Sequence, residues 1–308
     1  MKRVIYFVII VYLIVGALIL IFLEEKSDKI NYFTIDMDYS RMMSSEETLS
    51  FSLFIDNNQN FLIDKNNITS VALSNAEMEI SVSLLDLFEA ENNIEYQNKL
   101  YYQFIIEVGF DEVSLAGLDL AIEEAFLNIN YINGEMLKVS IGDLYLTFKE
   151  IEIDNYLDYV SLSCLTEIVE EQEYVGGVVI KFNNLTNQDI EIIDVTSNNR
   201  KIGFSIKNYY FNEEKPTGFV SQIIENYLDM ELEKETFVLN ENGYYVIPIV
   251  YLDGFEKIFR FPITIEYQYN NSVYELCIDD YLFLNEMVNF NEYVGNINTY
   301  IYQYQESD

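Results

Sequence analysis

Residues 127–141 read LNINYINGEMLKVSI, and this stretch decides the fold class. Leu127, Ile129 and Tyr131 alternate with Asn128 and Asn130; Leu137, Val139 and Ile141 then alternate with Lys138 and Ser140. A period of two puts the apolar side chains on one face of an extended chain and the polar ones on the other. Between the two runs stands Asn133-Gly134, a pair suited to the positive φ angles of a two-residue type I′ turn. The stretch reads as a β-hairpin with one face buried.

The same alternation recurs on both sides. Phe33, Ile35, Met37 and Tyr39 alternate with Thr34, Asp36 and Asp38, which predicts one strand. Leu49 to Ile55, Met78 to Leu84 and Tyr102 to Val108 predict three more. Residues 114–124 fit a short helix through Leu115, Leu118 and Ile122, or a strand through Leu118, Leu120 and Ile122, and both readings stay open. Leu144, Leu146 and Phe148 close a first domain spanning 31–149, and the acidic stretch 150–158 serves as its linker.

A second β series, 159–285, opens with Val160, Leu162 and Cys164. There, Val178 to Phe182 lead through Asn183-Asn184 to Ile190 and Ile192; in the first domain, Leu53 to Ile55 lead through Asn57-Asn58 to Phe61 and Ile63. The two strand–Asn-Asn–strand patterns hint at a duplicated unit. Val220, Ile223, Ile224, Tyr227 and Leu228 are spaced like one face of a helix. Strands resume at Phe237 to Leu239 and Tyr245 to Leu252; Pro248 and Pro262 each remove a ladder donor and call for an edge or a bulge. Many short strands joined by Asn and Gly turns make the chain mainly β, read as two tandem immunoglobulin-like β-sandwich domains.

The N-terminus carries a different signal. Val4 to Leu23 are twenty residues without a charge, enough for one helix across the roughly 30 Å apolar core of a bilayer. The run is longer than a secretory signal and lacks a small-residue cleavage site at its end, so residues 1–23 read as an uncleaved transmembrane signal anchor and 24–30 as a short stalk. Lys2, Arg3 and the terminal amine place the N-terminus in the cytoplasm and the C-terminal bulk outside the cell.

Beyond the anchor, 15 basic residues (all 17 but Lys2 and Arg3) face 52 acidic ones. Such a field repels phosphate backbones, which excludes nucleic acid as a partner and favours a basic protein. The chain is also 50% apolar, with 26 Tyr and 21 Phe, so it is built to bury cores rather than to stay disordered. It contains no histidine, which removes Ser-His-Asp and Cys-His catalysis and histidine metal sites. No serine stands three residues before a lysine, and no glycine-rich phosphate loop occurs.

Four sets of residues remain as candidates. Asp56-x-Asn58-x-Asn60 begins like a calcium loop but has Phe61 where the turn glycine belongs; Asp36 and Asp38 share a strand face and form a second oxygen-ligand set. Cys164 is expected to point inward with Val160 and Leu162, and Cys277 outward, opposite phases that argue against a core disulfide. In the aromatic segment 286–308, Tyr300, Tyr302 and Tyr304 alternate as a strand would, either packed on the chain's own sheet or added to a partner's sheet edge. Without catalytic groups or a cofactor, the leading expectation is a non-enzymatic, membrane-anchored scaffold or partner-docking protein at a bacterial cell surface. A calcium-assisted adhesin or glycan-binding module comes second, and a carboxylate-based hydrolase third.

Overall fold

The computed structural model describes residues 29–44, 47–58, 60–110, 117–149, 156–239, 243–256, 258, 260–283 and 297–303. The expected anchor, 1–23, lies outside these residues, as do 24–28 of the stalk, 150–155 of the linker and Tyr304. Among the described residues no helix is long and apolar enough to cross a membrane.

The first sandwich is built from β1 (Lys29–Ile35), β2 (Met37–Met43), β3 (Thr48–Ile55), β4 (Ile68–Ser74), β5 (Glu79–Tyr96), β6 (Lys99–Gly109), β7 (Asp119–Tyr131) and β8 (Met136–Phe148). With a late strand, β18 (Ile297–Gln303), they form one sheet in the order β18-β1-β3-β6-β5-β4-β7-β8-β2. The sheet folds over at β5, whose first residues pair with β4 and whose later ones pair with β6. β1-β3-β6-β5 therefore face β4-β7-β8, the ABED/CFG order of an immunoglobulin sandwich. Alternation supplies the core: Leu49, Phe51, Leu53 and Ile55 from β3 meet Leu127, Ile129, Val139 and Ile141 from the hairpin, all nearly inaccessible to solvent. Each such side chain contributes roughly 1.5–3 kcal/mol on burial.

The second sandwich repeats the order. β9 (Leu157–Val169), β10 (Gln172–Asn184), β15 (Tyr244–Tyr251) and the short β12 (Ile202–Phe204) form one sheet, with β13 (Tyr210–Asn212) also on β15. β14 (Phe237–Leu239), β11 (Ile190–Thr196), β16 (Arg260–Tyr269) and β17 (Ser272–Leu282) form the other. The two strand–Asn-Asn patterns occupy the same place in both sandwiches, after the second strand of the ABED sheet. In the first sandwich, however, Phe61–Ile63 is a 3-10 turn rather than a strand. Asn60 Oδ1 accepts the Leu62 N–H at 2.8 Å and Asp64 Oδ1 that of Asn66 at 3.0 Å, which winds the chain before β4 begins.

Several other expectations are corrected. The run Phe33 to Tyr39 is not one strand: it breaks at Asp36, β1 pairing antiparallel with β3 and β2 parallel with β8. Gly142 permits this crossing. Its φ is +91°, and a Cβ there would lie 2.2 Å from the Met37 carbonyl oxygen. The 127–141 hairpin forms, but Asn133-Gly134 is not a two-residue turn. Tyr131 bonds both Gly134 and Glu135, and only Gly134 is left-handed, which makes a three-residue loop with a bulge. The open segment resolves into strand from Asp119, with Leu120 and Ile122 buried. The expected helix is two 3-10 turns instead, Val220–Gln222 and Tyr227–Asp229, with left-handed Asn226 at the start of the second; Val220, Ile224 and Tyr227 still pack together, over Leu165, Val179 and Val246. Pro262 sits at a register shift, as required. Pro248 lies within β15, in the gap between the residues paired to β13 and those paired to β12, where no ladder donor is needed.

The segment after β17 returns to the first sandwich. β18 runs antiparallel to β1, with Lys29 opposite Gln303 and Ile35 opposite Ile297. Tyr300 stacks on Tyr32 at 5.1 Å and its hydroxyl accepts the Ser140 N–H at 2.9 Å. β1 also takes in Lys29 and Ile30, the last two residues of the expected stalk.

Two-residue turns with both residues left-handed occur at Gln97-Asn98, Glu170-Glu171 and Asn270-Asn271. Asn tolerates this conformation, whereas adjacent glutamates take the steric cost together with like-charge repulsion. Replacing Glu170→Asn with Glu171→Gly should stabilise the second sandwich by about 1 kcal/mol, read as a rise in its thermal midpoint.

Candidate functional site at the domain junction

The sandwiches meet along β2, the last strand of the nine-stranded sheet. β16 and β17 pack against it, and the 197–201 turn reaches across. Local chemistry shapes that turn. The Asn199 N–H donates to Ser197 Oγ at 3.3 Å, and the Lys201 N–H donates to Asn199 Oδ1 at 2.9 Å. Asn198 is thereby presented to the first sandwich, where its side-chain amide donates to the carbonyls of Arg41 (2.8 Å) and Tyr145 (2.7 Å).

Lys201 enters a nest of carboxylates. Its ammonium lies 3.1 Å from Asp38 and 2.7 Å from Asp143, both of the first sandwich, and also pairs with Glu256 of the second. The Asp38 side chain is only 10% exposed, and Lys201 and Asp143 are each 17% exposed. Burial lifts the Asp38 carboxyl from 3.8 to about 6, against the pull of the Lys201 charge and hydrogen bond. Burial by itself would lower Lys201, but hydrogen bonds to Asp143 and Glu256 and the charges of Asp38 and Asp143 overcome it and hold the ammonium above its usual range. Burial thus dominates at Asp38, while the hydrogen bonds and charges of the surrounding carboxylates dominate at Lys201.

Beside the cluster lies a half-open cleft of about 310 Å³ between the sandwiches, lined by Leu120, Thr147, Asn198, Arg200, Glu266 and Glu275 among others. Glu266 and Glu275 stand directly opposite each other in the β16–β17 register, and Lys149 of the first sandwich pairs with Glu275. That cation offsets what would otherwise be a like-charge cross-strand pair. The cleft has no aromatic wall and mixes both signs of charge.

The residues singled out from sequence do not assemble into one site. Asp36 accepts the Ser140 hydroxyl at 2.6 Å, while Asp38 belongs to the lysine cluster, because the strand break turns them to different partners. Asp56 accepts the Asn31 N–H at 2.9 Å and Asn60 caps its own turn; Asn58 lines an open hollow with Asn60 and Asp64. Among the described residues, no three or more Cys, Asp or Glu are grouped to hold a metal ion. No disulfide joins Cys164 and Cys277. Leu162 is buried as expected, but Val160 is 63% exposed because the β9–β10 register shifts beside it. Tyr300 and Tyr302 turn into the first sandwich, Tyr302 donating its hydroxyl to Glu135.

Sequence reasoning passed over Lys201, Asp143, Glu256 and Asn198. A signal was present: Arg200-Lys201 is the one adjacent basic pair after Lys2-Arg3, within a chain of net charge −35.

No family model and no curated protein matches this sequence. Among solved structures, the chain is similar to the titin fragment A168169 at 9% identity, covering 81% of this chain and 97% of that one with a TM-score of 0.18. It is also similar to a chimeric titin Z1Z2 carrying an exogenous decorin peptide, at 8% identity, 84% and 98% coverage and a TM-score of 0.19. Scores this low carry no argument, and the sandwich assignment rests on strand order.

Removing the shared cation should be severe. Lys201→Met leaves three carboxylates facing one another and should cost about 3–5 kcal/mol, read by denaturant unfolding. Asp38 has the opposite sign. Its folded-state value lies above the unfolded one, so its contribution is full below pH 4 and is lost as pH rises through about 6. Asp38→Asn should therefore flatten the stability trend between pH 4 and 7 and leave the protein at least as stable at pH 7.5, measured by calorimetry at both ends.

Proposed function

We propose that this chain is a non-enzymatic, membrane-tethered scaffold that holds two immunoglobulin-like sandwiches in a fixed relation and presents them to a protein partner outside a bacterial cell. The observation that carries this reading is the double tie between the sandwiches. Lys201 and Asn198 join them across β2, and β18 returns from the second sandwich to pair with β1 of the first. Two modules tied twice form a stiff spacer rather than beads on a string.

The tether is the apolar segment 4–23, with the N-terminus on the cytoplasmic side. β1 begins six residues after that segment, so the first sandwich stands next to the bilayer and the second extends the assembly. The acidic surface favours a basic partner through long-range attraction, and that attraction weakens as salt rises.

Full-length protein in isolated membranes should remain in the pellet after alkaline carbonate washing, and mild crosslinking should capture a protein with a basic surface, less efficiently at high salt. Release into the supernatant would overturn the tether. Recovery of free monomer alone at low salt would overturn the docking role.

A further inference from the structure

We propose that the end of the first sandwich where β1 begins lies on the lipid bilayer surface, with Leu100, Ile132, Met136 and Ile301 entering the headgroup layer. This inference deepens the reading of residues 4–23 as an anchor and rests on it.

Strand register identifies that end. It holds the start of β1, the end of β18, the 56–67 connection, the Gln97-Asn98 turn and the 132–135 turn. Contacts tie these parts together. Lys29 is opposite Gln303, the Ile132 N–H donates to the Asn67 carbonyl, the Tyr131 hydroxyl to that of Leu62, and Tyr302 to Glu135. Asp56 joins Asn31 to Lys99 on the same side.

The most exposed large apolar side chains of the first sandwich lie there, whereas Met78, Leu85, Phe88 and Leu118, at 39–44% exposed, lie elsewhere on it. Among the described residues of the first sandwich, three large apolar ones are more than half exposed, Ile301 at 65%, Ile132 at 62% and Met136 at 58%, and all three lie at this end. Leu100, the next most exposed at 49%, follows the Gln97-Asn98 turn. Single exposed apolar residues need no explanation, but four gathered on one rim mark a contact surface.

Charge is sorted in the same direction. Of the six basic residues between Lys29 and Lys149, Lys29, Lys65, Lys99 and Lys138 lie in the loops and strand ends on this side, whereas Arg41 and Lys149 lie at the junction. These four lysines stand against Asp56, Asp64, Glu95 and Glu135 in the same loops and strand ends, a far smaller acidic excess than in the chain as a whole, whose net charge is −35. Lys65 and Lys99 are paired with Asp86 and Asp56 at the surface, where lipid phosphates can compete for them. A lipid surface fits this combination better than a protein groove, because the apolar tips sit on separate turns around a rim that the apolar N-terminal segment already adjoins.

The chain contains no tryptophan, so an introduced one is a unique reporter. The full chain carrying Ile132→Trp, reconstituted in phosphatidylcholine vesicles, should show blue-shifted emission that brominated lipid quenches strongly. Val273→Trp, on the second sandwich near the Lys149–Glu275 contact, should emit as in water and resist quenching. Water-like emission from Ile132→Trp in protein that survives carbonate washing would overturn the rim contact and leave the anchor standing. Release by carbonate would overturn both.

Discussion

A strand at the edge of a sheet presents backbone donors and acceptors that another chain will pair with unless something covers them. The nine-stranded sheet of the first sandwich would end at β1 on one side and at β2 on the other, and the rest of the molecule is arranged around those two positions. β18 lies along β1 through seven paired residues, secured by the Tyr32–Tyr300 stack. The second sandwich lies against β2, where the Asn198 amide donates to the Arg41 carbonyl and β16 and β17 pack on the strand. The β1 edge is thus closed by backbone pairing, whereas at β2 the second sandwich supplies side-chain donors and packing instead of a further strand.

Electrostatics then sets the character of that closure. A chain with 52 acidic residues keeps most of them wet, and a junction between two such surfaces is repulsive by default. Lys201 reverses this at one point by drawing Asp38, Asp143 and Glu256 around a single ammonium. Buried ion pairs add little beyond what apolar packing would supply, yet they are costly to break. The cluster therefore acts on the relative placement of the sandwiches more than on their net stability. Burial, with smaller contributions from the Asp143 and Glu256 charges, lifts the Asp38 carboxyl to about 6 against the pull of Lys201, so its protonation in mild acid relieves a cost at this closure.

Legibility of the sequence followed the range of the forces involved. The alternation in β3, β7 and β8 was readable because a half-buried strand repeats every two residues, whatever its neighbours are. Turn chemistry was half readable: Asn133-Gly134 marked the hairpin, while the type of turn depended on the register of Asn130 with Met136. Residues 220–228 kept their apolar spacing but not a helix, because that spacing reports which side is covered and one left-handed Asn226 breaks the winding. At the junction, the Arg200-Lys201 pair was visible as an anomaly of charge, but its three anionic partners stand 55, 58 and 163 residues away in the chain.

By itself, the sequence determined the apolar N-terminal run, the β class, the existence of two modules and the absence of histidine chemistry, because composition and period-two patterning are local properties. Tertiary structure alone decided that Asp36 separates two strands in opposite layers, that the aromatic C-terminal strand belongs to the first sandwich rather than the second, and that Lys201 joins the modules. Each of these depends on contacts between residues far apart in the chain. Such contacts are selected by the global competition to cover sheet edges and neutralise buried charge, and no local window of residues records that competition.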